Sequence, residues 1–221
     1  TDAVTAARAA LSGAAAVVPK SRNGPVEQMR VLLVARRSAR LQRSQSLNQL
    51  RHLVFTAPEP IRVRFKDRPQ TGLVKEAAAM RPNPGSDPVT YTTNLVIRNL
   101  ARRIRALTGE VKDIDRMLTG LINQTAPALL DLYGVGPDGA ATLLVTAGDN
   151  PERIRSERSW AHLCGVTPIP ASSGKTIRHR LNRGGDRHAN SALHRIVLTR
   201  MSNHTETRAY VARRRSEGLN S

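Results

Sequence analysis

The chain has few of the residues that stabilise secreted or membrane proteins. Cys164 is the single cysteine among 221 residues, so an intrachain disulfide is excluded and a reducing compartment is expected. Aromatic residues make up 3% of the sequence, which disfavours recognition of single strands by base stacking. No apolar run reaches the length of about 18 residues that a membrane-spanning helix needs. The six histidines lack partners at zinc-ligand spacing, and no structural zinc site is predicted.

Acidic residues are also scarce compared with basic ones. The chain has 17 Asp and Glu against 35 Lys and Arg, which gives a formal net charge of +18 and a pI near 11.6. Such an excess indicates a nucleic acid partner, and an anionic membrane surface is the weaker alternative. Thirty of the basic residues are arginine, whose planar guanidinium binds phosphate oxygens bidentately. GC-rich coding also favours arginine over lysine, but it does not explain the net charge.

Breaks rich in proline and glycine divide the sequence into three predicted regions. Residues 1–25 begin with an alanine-rich helix and end in a polar break. Apolar residues recur at three- to four-residue steps over 26–55 and again over 90–123, which is typical of long helices. We therefore predict a coiled-coil-like helical hairpin over 26–123. An ordinary helical bundle is the alternative, and the direction of pairing stays open. Residues 124–221 are predicted to form a compact helical domain, so the fold class is mainly α.

Three arginines of the first long helix share one face of that helix. Arg36, Arg40 and Arg43 follow one another at steps of four and three residues. A face of this kind could follow the phosphates of a nucleic acid, and a solvated helix surface is the alternative.

A Gly-X-Gly turn lies between two apolar segments near the start of the third region. Gly134 and Gly136 permit positive φ and close approach of the backbone, and the second apolar segment begins directly after them. This order predicts a helix-hairpin-helix, in which amides at the start of the second helix contact a phosphate. A plain helical turn is the alternative.

The most distinctive segment is a loop of small and polar residues bounded by proline and glycine. Ser172 and Ser173 lie between Pro170 and Gly174, which keeps the two side chains uncrowded. A serine hydroxyl is a poor nucleophile unless its proton is removed or the charge on the attacked group is stabilised. Side chains that could stabilise a phosphorane follow: Lys175, Arg178, Arg180, Arg183 and Arg187. A short β-hairpin is expected near 175–181, and a structural turn is the alternative role of the two serines.

Several short motifs occur in order over this last region. They are Gly134-Val135-Gly136-Pro137, Ala140-Ala141, Leu143-Leu144, Gly148-Asp149, Trp160-Ala161-His162-Leu163-Cys164-Gly165-Val166-Thr167-Pro168, Ser173-Gly174, Arg178, Arg180, Arg183-Gly184-Gly185-Asp186-Arg187, Leu193, Tyr210 and Gly218. With these motifs, residues 129–221 resemble the C-terminal transposase domain of the insertion-sequence 110 family. Members of that family join a RuvC-like domain with four acidic residues to a serine-dependent transposase domain. The helical region 26–123 is similar to the family's coiled-coil linker in position and character.

The resemblance implies a composite active site. In that family, acidic residues of the RuvC-like domain bind magnesium, and a serine of the C-terminal domain attacks a DNA phosphate. Ser173, directly before Gly174, matches the family's serine, with the adjacent Ser172 as second choice. Asp2 matches the last of the four acids. Mg²⁺ is therefore expected in the intact enzyme, while this chain, with Asp2 as an incomplete metal site, is not expected to bind it alone.

The resemblance also implies partners for the protein. DNA is the expected substrate, and a structured guide RNA is expected because characterised relatives use one. A homo-oligomer, either a dimer or a tetramer, is expected in the bacterial cytoplasm in association with the nucleoid, with no membrane partner.

The match departs from the family pattern at both ends of the chain. The three other acids would precede Thr1, and relatives usually continue beyond Ser221 with another basic helix. We interpret the chain as a fragment: 1–25 as the end of a RuvC-like domain, 26–123 as the linker and 124–221 as the transposase domain. The predicted function is DNA cleavage and rejoining through a serine nucleophile, with the fragment inactive by itself. The alternatives are a non-catalytic helix-hairpin-helix module that binds nucleic acid and a helical oligomerisation scaffold.

Overall fold

The structure, a computed structural model, describes residues 2–13 and 19–218. These residues form ten α-helices and one antiparallel sheet of two strands, so the predicted mainly α fold is confirmed. The helices are α1 (Asp2–Leu11), α2 (Pro25–Thr56), α3 (Glu59–Phe65), α4 (Gln70–Ala78), α5 (Pro88–Thr125), α6 (Ala128–Asp131), α7 (Pro137–Ala147), α8 (Glu157–Leu163), α9 (Arg187–Asn203) and α10 (Thr205–Ser216). A 3₁₀ turn (Pro151–Arg153) precedes α8, and strands β1 (Ile169–Pro170) and β2 (His179–Arg180) lie between α8 and α9.

The described residues form two compact units. Residues 31–121 form one unit, and 2–13, 19–30 and 122–218 together form the other. No helix in the described part of the chain is both long enough and apolar enough to cross a membrane.

The first unit contains the helical hairpin. Arg36 Nε donates to Asp115 Oδ1 at 2.6 Å, and a guanidinium nitrogen of Arg103 donates to Gln42 Oε1 at 3.3 Å. These pairs occur in opposite order along α2 and α5, so the two helices run antiparallel within one chain. Their core also includes the two short helices α3 and α4. Its buried side chains are Leu50, Ala57, Ile61, Phe65, Leu73, Ala77, Ala78, Met80, Ile97, Ala101 and Ile104.

In the second unit, helix α9 packs against both α7 and α10. Small side chains are buried on α7 and α9, which allows the two helices to approach closely: Ala140, Ala141, Ala189 and Ala192. Gly134, in the turn before α7, has a φ of 84°, and a Cβ at this position would lie 3.3 Å from the carbonyl oxygen of Ile196 on α9. The predicted positive φ and close backbone approach are therefore present at Gly134.

The start of α2 is held by a residue far along the sequence. Asp149 Oδ1 accepts from the Val26 amide at 2.8 Å, and Asp149 Oδ2 accepts from the Glu27 amide at 3.2 Å, which is the bonding of an N-cap. Lys20 Nζ donates to the Val145 carbonyl at 2.9 Å. The described end of the first predicted region therefore packs with the C-terminal segment, and its assignment to a RuvC-like domain stays a prediction.

Candidate serine loop and nucleic-acid interface

The serine loop, residues 165–185, leaves and rejoins the helices of the second unit at one point, where its two terminal glycines touch. A Cβ on Gly185 would lie 2.3 Å from the Cα and the nitrogen of Gly165, a distance that real Cβ atoms essentially never show. The amide of Asp186, the next residue, donates to the Leu163 carbonyl at 2.7 Å. Because the two backbones meet without side chains between them, both ends of the loop are fixed against each other.

Two asparagine side chains strengthen this junction. Asn190 Nδ2 donates to the Gly165 carbonyl at 3.2 Å, and Asn182 Nδ2 donates to the His162 carbonyl at 3.3 Å. Asn182 Oδ1 also accepts from the Gly184 amide at 3.0 Å. These side chains therefore satisfy backbone groups on both arms of the loop.

Asp186 connects the loop to helix α9. Its Oδ1 accepts from the amides of His188 at 2.8 Å and Ala189 at 3.2 Å, and its Oδ2 accepts from Thr146 Oγ1 at 3.0 Å. Burial, the largest single effect on this half-buried carboxyl, acts to raise its pKa. The hydrogen bonds from Ala189, Thr146 and His188 and the charge of Lys20 together outweigh burial, so the pKa lies below its usual value.

Cys164, which directly precedes the glycine junction, is fully buried. Burial and then the negative charge of Asp186 raise the pKa of its thiol to about 11. Since the thiolate is the nucleophilic form, this cysteine is unreactive near neutral pH. The serines are therefore the better nucleophile candidates of the loop.

Within the loop, the chain forms a β-hairpin around the two serines. Ile169 pairs with Arg180 in the sheet, and the same register continues to Ser173 and Thr176, whose backbones exchange hydrogen bonds of 3.2 and 3.1 Å. Gly174 has a φ of 55°, as the first central residue of a type II′ turn requires. The expected short hairpin is therefore present, but it spans 169–180 rather than 175–181.

The two serine hydroxyls differ in their hydrogen bonds. Ser172 Oγ accepts from the Arg178 amide at 3.3 Å and donates to the Arg178 carbonyl at 3.4 Å. Ser173 Oγ has no hydrogen-bond partner among the described residues, and the whole residue is exposed. Ser172 thus supports the hairpin backbone, whereas the Ser173 hydroxyl is uncommitted.

The hairpin register also distributes these side chains between its two faces. In an antiparallel hairpin, residues that pair across the two strands lie on the same face, and successive residues of one strand lie on alternate faces. Ser173 therefore shares a face with Arg178 and Arg180. Ser172 lies on the other face, with His179. The uncommitted hydroxyl and two guanidinium groups therefore lie on one side of the hairpin.

The predicted basic residues of the loop form an exposed cationic surface. All five are exposed, and none forms an ion pair within the described residues: Lys175, Arg178, Arg180, Arg183 and Arg187. Over 158–205 the sequence has eight Lys and Arg but only one acidic residue, Asp186. Because that carboxylate is half-buried and hydrogen-bonded, the positive charge of the loop is not neutralised locally.

Residues 126–212, which include the hairpin and its junction, match the family model described as "Transposase IS116/IS110/IS902 family". This segment is therefore similar to that transposase family. The chain is also 31% identical over 134 residues to the "Insertion element IS110 uncharacterized 43.6 kDa protein" of Streptomyces coelicolor. That alignment covers 59% of this chain and 33% of the relative, so the match spans about a third of the relative's length.

The two glycines predicted to contact phosphate in the segment that matches the family model have different environments. Gly134 lies against α9, as described above. Gly136 has a φ of −96°, and a Cβ there would meet no atom within 4 Å. The apolar segment before the turn contains a helix of four residues, α6, so only the second helix is long. The helix-hairpin-helix assignment stays a prediction.

The three arginines predicted on α2 also differ in their environments. Arg40 is exposed and Arg43 is half-buried. Arg36 is 8% exposed, and its guanidinium is paired with Asp115. Arg36 is therefore committed to the helical hairpin, while phosphate contacts by Arg40 and Arg43 stay a prediction.

Asp2, the residue that matches the last family acid, lies exposed in the first turn of α1. The described residues contain no group of three or more His, Cys, Asp or Glu side chains that could hold a metal ion. The magnesium site that the family resemblance implies stays a prediction.

Substituting Gly185 should disrupt the junction of the loop. A Cβ 2.3 Å from the Gly165 backbone forces the two arms apart, so Gly185→Ala should cost about 2 kcal/mol or more. Gly184→Ala is the matched control, because its Cβ would lie 3.5 Å from its nearest neighbour, Asn182 Oδ1. Thermal unfolding followed by circular dichroism would measure both; equal losses of Tm would contradict the structural role of the Gly165–Gly185 contact.

Acid should weaken the junction through Asp186. The pKa of the Asp186 carboxyl is lower in the folded protein than its value of about 4 in the unfolded chain, so the ionised group stabilises the fold above that pH. This stabilisation is lost as the pH falls through the pKa of the folded protein. Asp186→Asn should therefore lower Tm at neutral pH and reduce the further loss of Tm between about pH 5 and pH 3. Glu152→Gln, at an exposed carboxyl, is the control. An unchanged acid dependence in Asp186→Asn would contradict this assignment.

Proposed function

We propose that this chain provides the DNA-binding and nucleophilic part of a DNA transposase, which cleaves and rejoins DNA through Ser173. One observation carries the proposal. The segment that matches the transposase family contains an exposed hairpin on which an uncommitted serine hydroxyl shares a face with Arg178 and Arg180. The fixed glycine junction beneath the hairpin supports a positioned rather than a freely moving nucleophile.

In the proposed reaction, Ser173 attacks a phosphorus atom of the DNA backbone. The hydroxyl gives up its proton, an Oγ–P bond forms, and the bond from phosphorus to one sugar oxygen breaks. That sugar oxygen takes up a proton, so the strand is cut without hydrolysis and the phosphodiester energy is kept in the serine ester. Attack by another sugar hydroxyl on this ester forms a new phosphodiester and restores the serine.

The arginines of the hairpin have two roles in this proposal. They bind backbone phosphates before the reaction, and they stabilise the negative charge that builds up on the non-bridging oxygens during attack. Lys175, Arg183 and Arg187 extend the phosphate-binding surface. Their lack of ion pairs within the described residues supports this role, because no intramolecular partner has to be displaced.

Three further parts of the proposal concern groups outside the described residues. Magnesium binding is assigned to acidic residues of a RuvC-like domain and not to the hairpin. A structured guide RNA is proposed to select the DNA, and a dimer or tetramer is proposed to bring the DNA ends together. The helix-hairpin-helix around Gly134 and Gly136 is proposed as a second contact to backbone phosphates.

A non-catalytic nucleic-acid-binding module is the second candidate function. It is favoured by the absence, within the described residues, of both a metal-binding cluster and a hydrogen-bonded base for Ser173. In this case the arginines of the β-hairpin bind phosphates of the nucleic acid, and Ser173 contributes an uncharged contact without reacting.

The nucleophile can be tested by trapping the serine ester. The protein is mixed with a RuvC-like domain from a relative, labelled DNA of an insertion-sequence end, magnesium and guide RNA, and separated on a denaturing gel. Ser173→Ala should abolish the covalent adduct. Ser172→Ala, the matched control, should keep it with a loss within about tenfold, because it removes only the hydroxyl bonds to Arg178.

An adduct of equal yield in Ser173→Ala and the wild type would reject Ser173 as nucleophile. An adduct lost only in Ser172→Ala would transfer the role to that residue. Wild-type protein that binds DNA but never forms an adduct would favour the non-catalytic module.

Phosphate binding by the hairpin predicts a change in salt dependence. The slope of log K against log salt should fall by about 2 in Arg178→Ala with Arg183→Ala, since two phosphate contacts are lost. The control is Arg62→Ala with Arg116→Ala, which removes two exposed arginines already paired with acids in the other unit. Fluorescence anisotropy with labelled duplex DNA would measure both slopes, and equal slopes would refute the hairpin as interface.

A further inference from the structure

A groove of about 500 Å³ lies beside the β-hairpin of residues 169–180, within the second unit. One wall is the segment 165–168, Gly-Val-Thr-Pro, a motif that the proposed nucleophile and phosphate contacts do not use. Residues of α9 and of β2 also line the groove. The volume lies within the range of small-ligand sites, roughly 300–1,000 Å³.

The groove collects large apolar side chains within a cationic surface. Val166 is 46% exposed, Leu181 is 71% exposed and Val197 is 48% exposed, and all three line it. Single exposed apolar residues are ordinary, but several that converge in one concave site favour a bound apolar group.

The wall of the groove also contains an unsatisfied polar atom. The hydroxyl oxygen of Thr167 is buried and has no hydrogen-bond partner among the described residues. Buried hydroxyls nearly always have a partner, since an unmade hydrogen bond costs free energy. A ligand with a donor or acceptor at its edge would supply one after a rotation about χ1.

The charge around the groove restricts what can occupy it. Arg180, His179 and His194 all contribute to its lining, and the rest of the β-hairpin is adjacent. The occupant should therefore combine negative charge with an apolar group that carries hydrogen-bonding atoms. A second copy of this chain is disfavoured, because it would bring the same excess of positive charge to the site.

We propose that this groove binds one unstacked nucleobase of the nucleic acid whose phosphates contact the basic hairpin. The proposal rests on nucleic-acid binding by the hairpin, as proposed above. The base packs between Val166, Leu181 and Val197, and its polar edge bonds the Thr167 hydroxyl. No Phe, Tyr or Trp among the described residues lines the groove, so the base is held by burial against aliphatic side chains and by the hydrogen bond at its edge, as in pockets that hold extruded bases between apolar side chains.

The test compares two probes of equal charge. One is a short single-stranded DNA of mixed sequence, and the other is an abasic sugar-phosphate strand of the same length. At fixed salt, the wild type should bind the strand with bases roughly tenfold more tightly, because only that strand can bury a base against the apolar side chains of the groove. Val197→Gln, which keeps the charge and removes an apolar wall, should bring this ratio close to one.

Leu198→Gln is the matched control, because Leu198 is the next residue of α9, is 49% exposed and does not line the groove. It should keep the full preference for the strand with bases. Thr167→Val should lower the preference without lowering Tm, because it removes a hydroxyl that has no partner in the free protein.

The outcomes separate this inference from the proposed function. Equal binding of both strands by the wild type, or equal effects of Val197→Gln and Leu198→Gln, would overturn the groove site while phosphate binding by the hairpin stands. Binding of neither strand would overturn both. A changed mass of Val197→Gln in light scattering, with an unchanged base preference, would make the groove a contact between copies and reject the base site.

Discussion

The contact between the backbones of Gly165 and Gly185 is the constraint on which the candidate site depends. It brings the two arms of the loop together, and it lets the Asp186 amide reach the Leu163 carbonyl. Asp186 then begins α9 at a fixed point by capping its first amides. The hairpin, the cationic surface and the groove all extend from this junction, so a side chain at Gly185 would alter three features at once.

Electrostatics distinguish the loop from the helical hairpin. In residues 31–121, Arg64 and Arg68 both pair with Glu76, and Arg36 pairs with Asp115. These pairs neutralise charge where helices pack. Around the serine loop, most cations have no such partner, so the field of the loop extends into solvent and attracts anions.

Local sequence patterns predicted the helices, the mainly α fold and the basic surface, because periodicity and charge are properties of neighbouring residues. Contacts across long separations were not predictable, such as Asp149 capping a helix that begins 124 residues earlier, at Pro25. The prediction that Arg36, Arg40 and Arg43 form one solvated face overlooked the spacing of Arg36 from the apolar residues before it. Arg36 continues the three- and four-residue steps of Met29 and Leu33, which places it in the buried seam rather than on the solvated side.

The two serines illustrate what geometry adds to sequence. The sequence alone does not distinguish the adjacent hydroxyls of Ser172 and Ser173, but the hairpin register places them on opposite faces. The Ser172 hydroxyl accepts a hydrogen bond from the Arg178 amide, where a carbonyl of the opposite strand would otherwise accept it, so this hydroxyl is already committed to the backbone. Moving it to attack a phosphate would cost that support and change the position of Arg178. Ser173 forms no such hydrogen bond within the described residues, so the proposed attack by its hydroxyl would leave the support of the hairpin backbone intact.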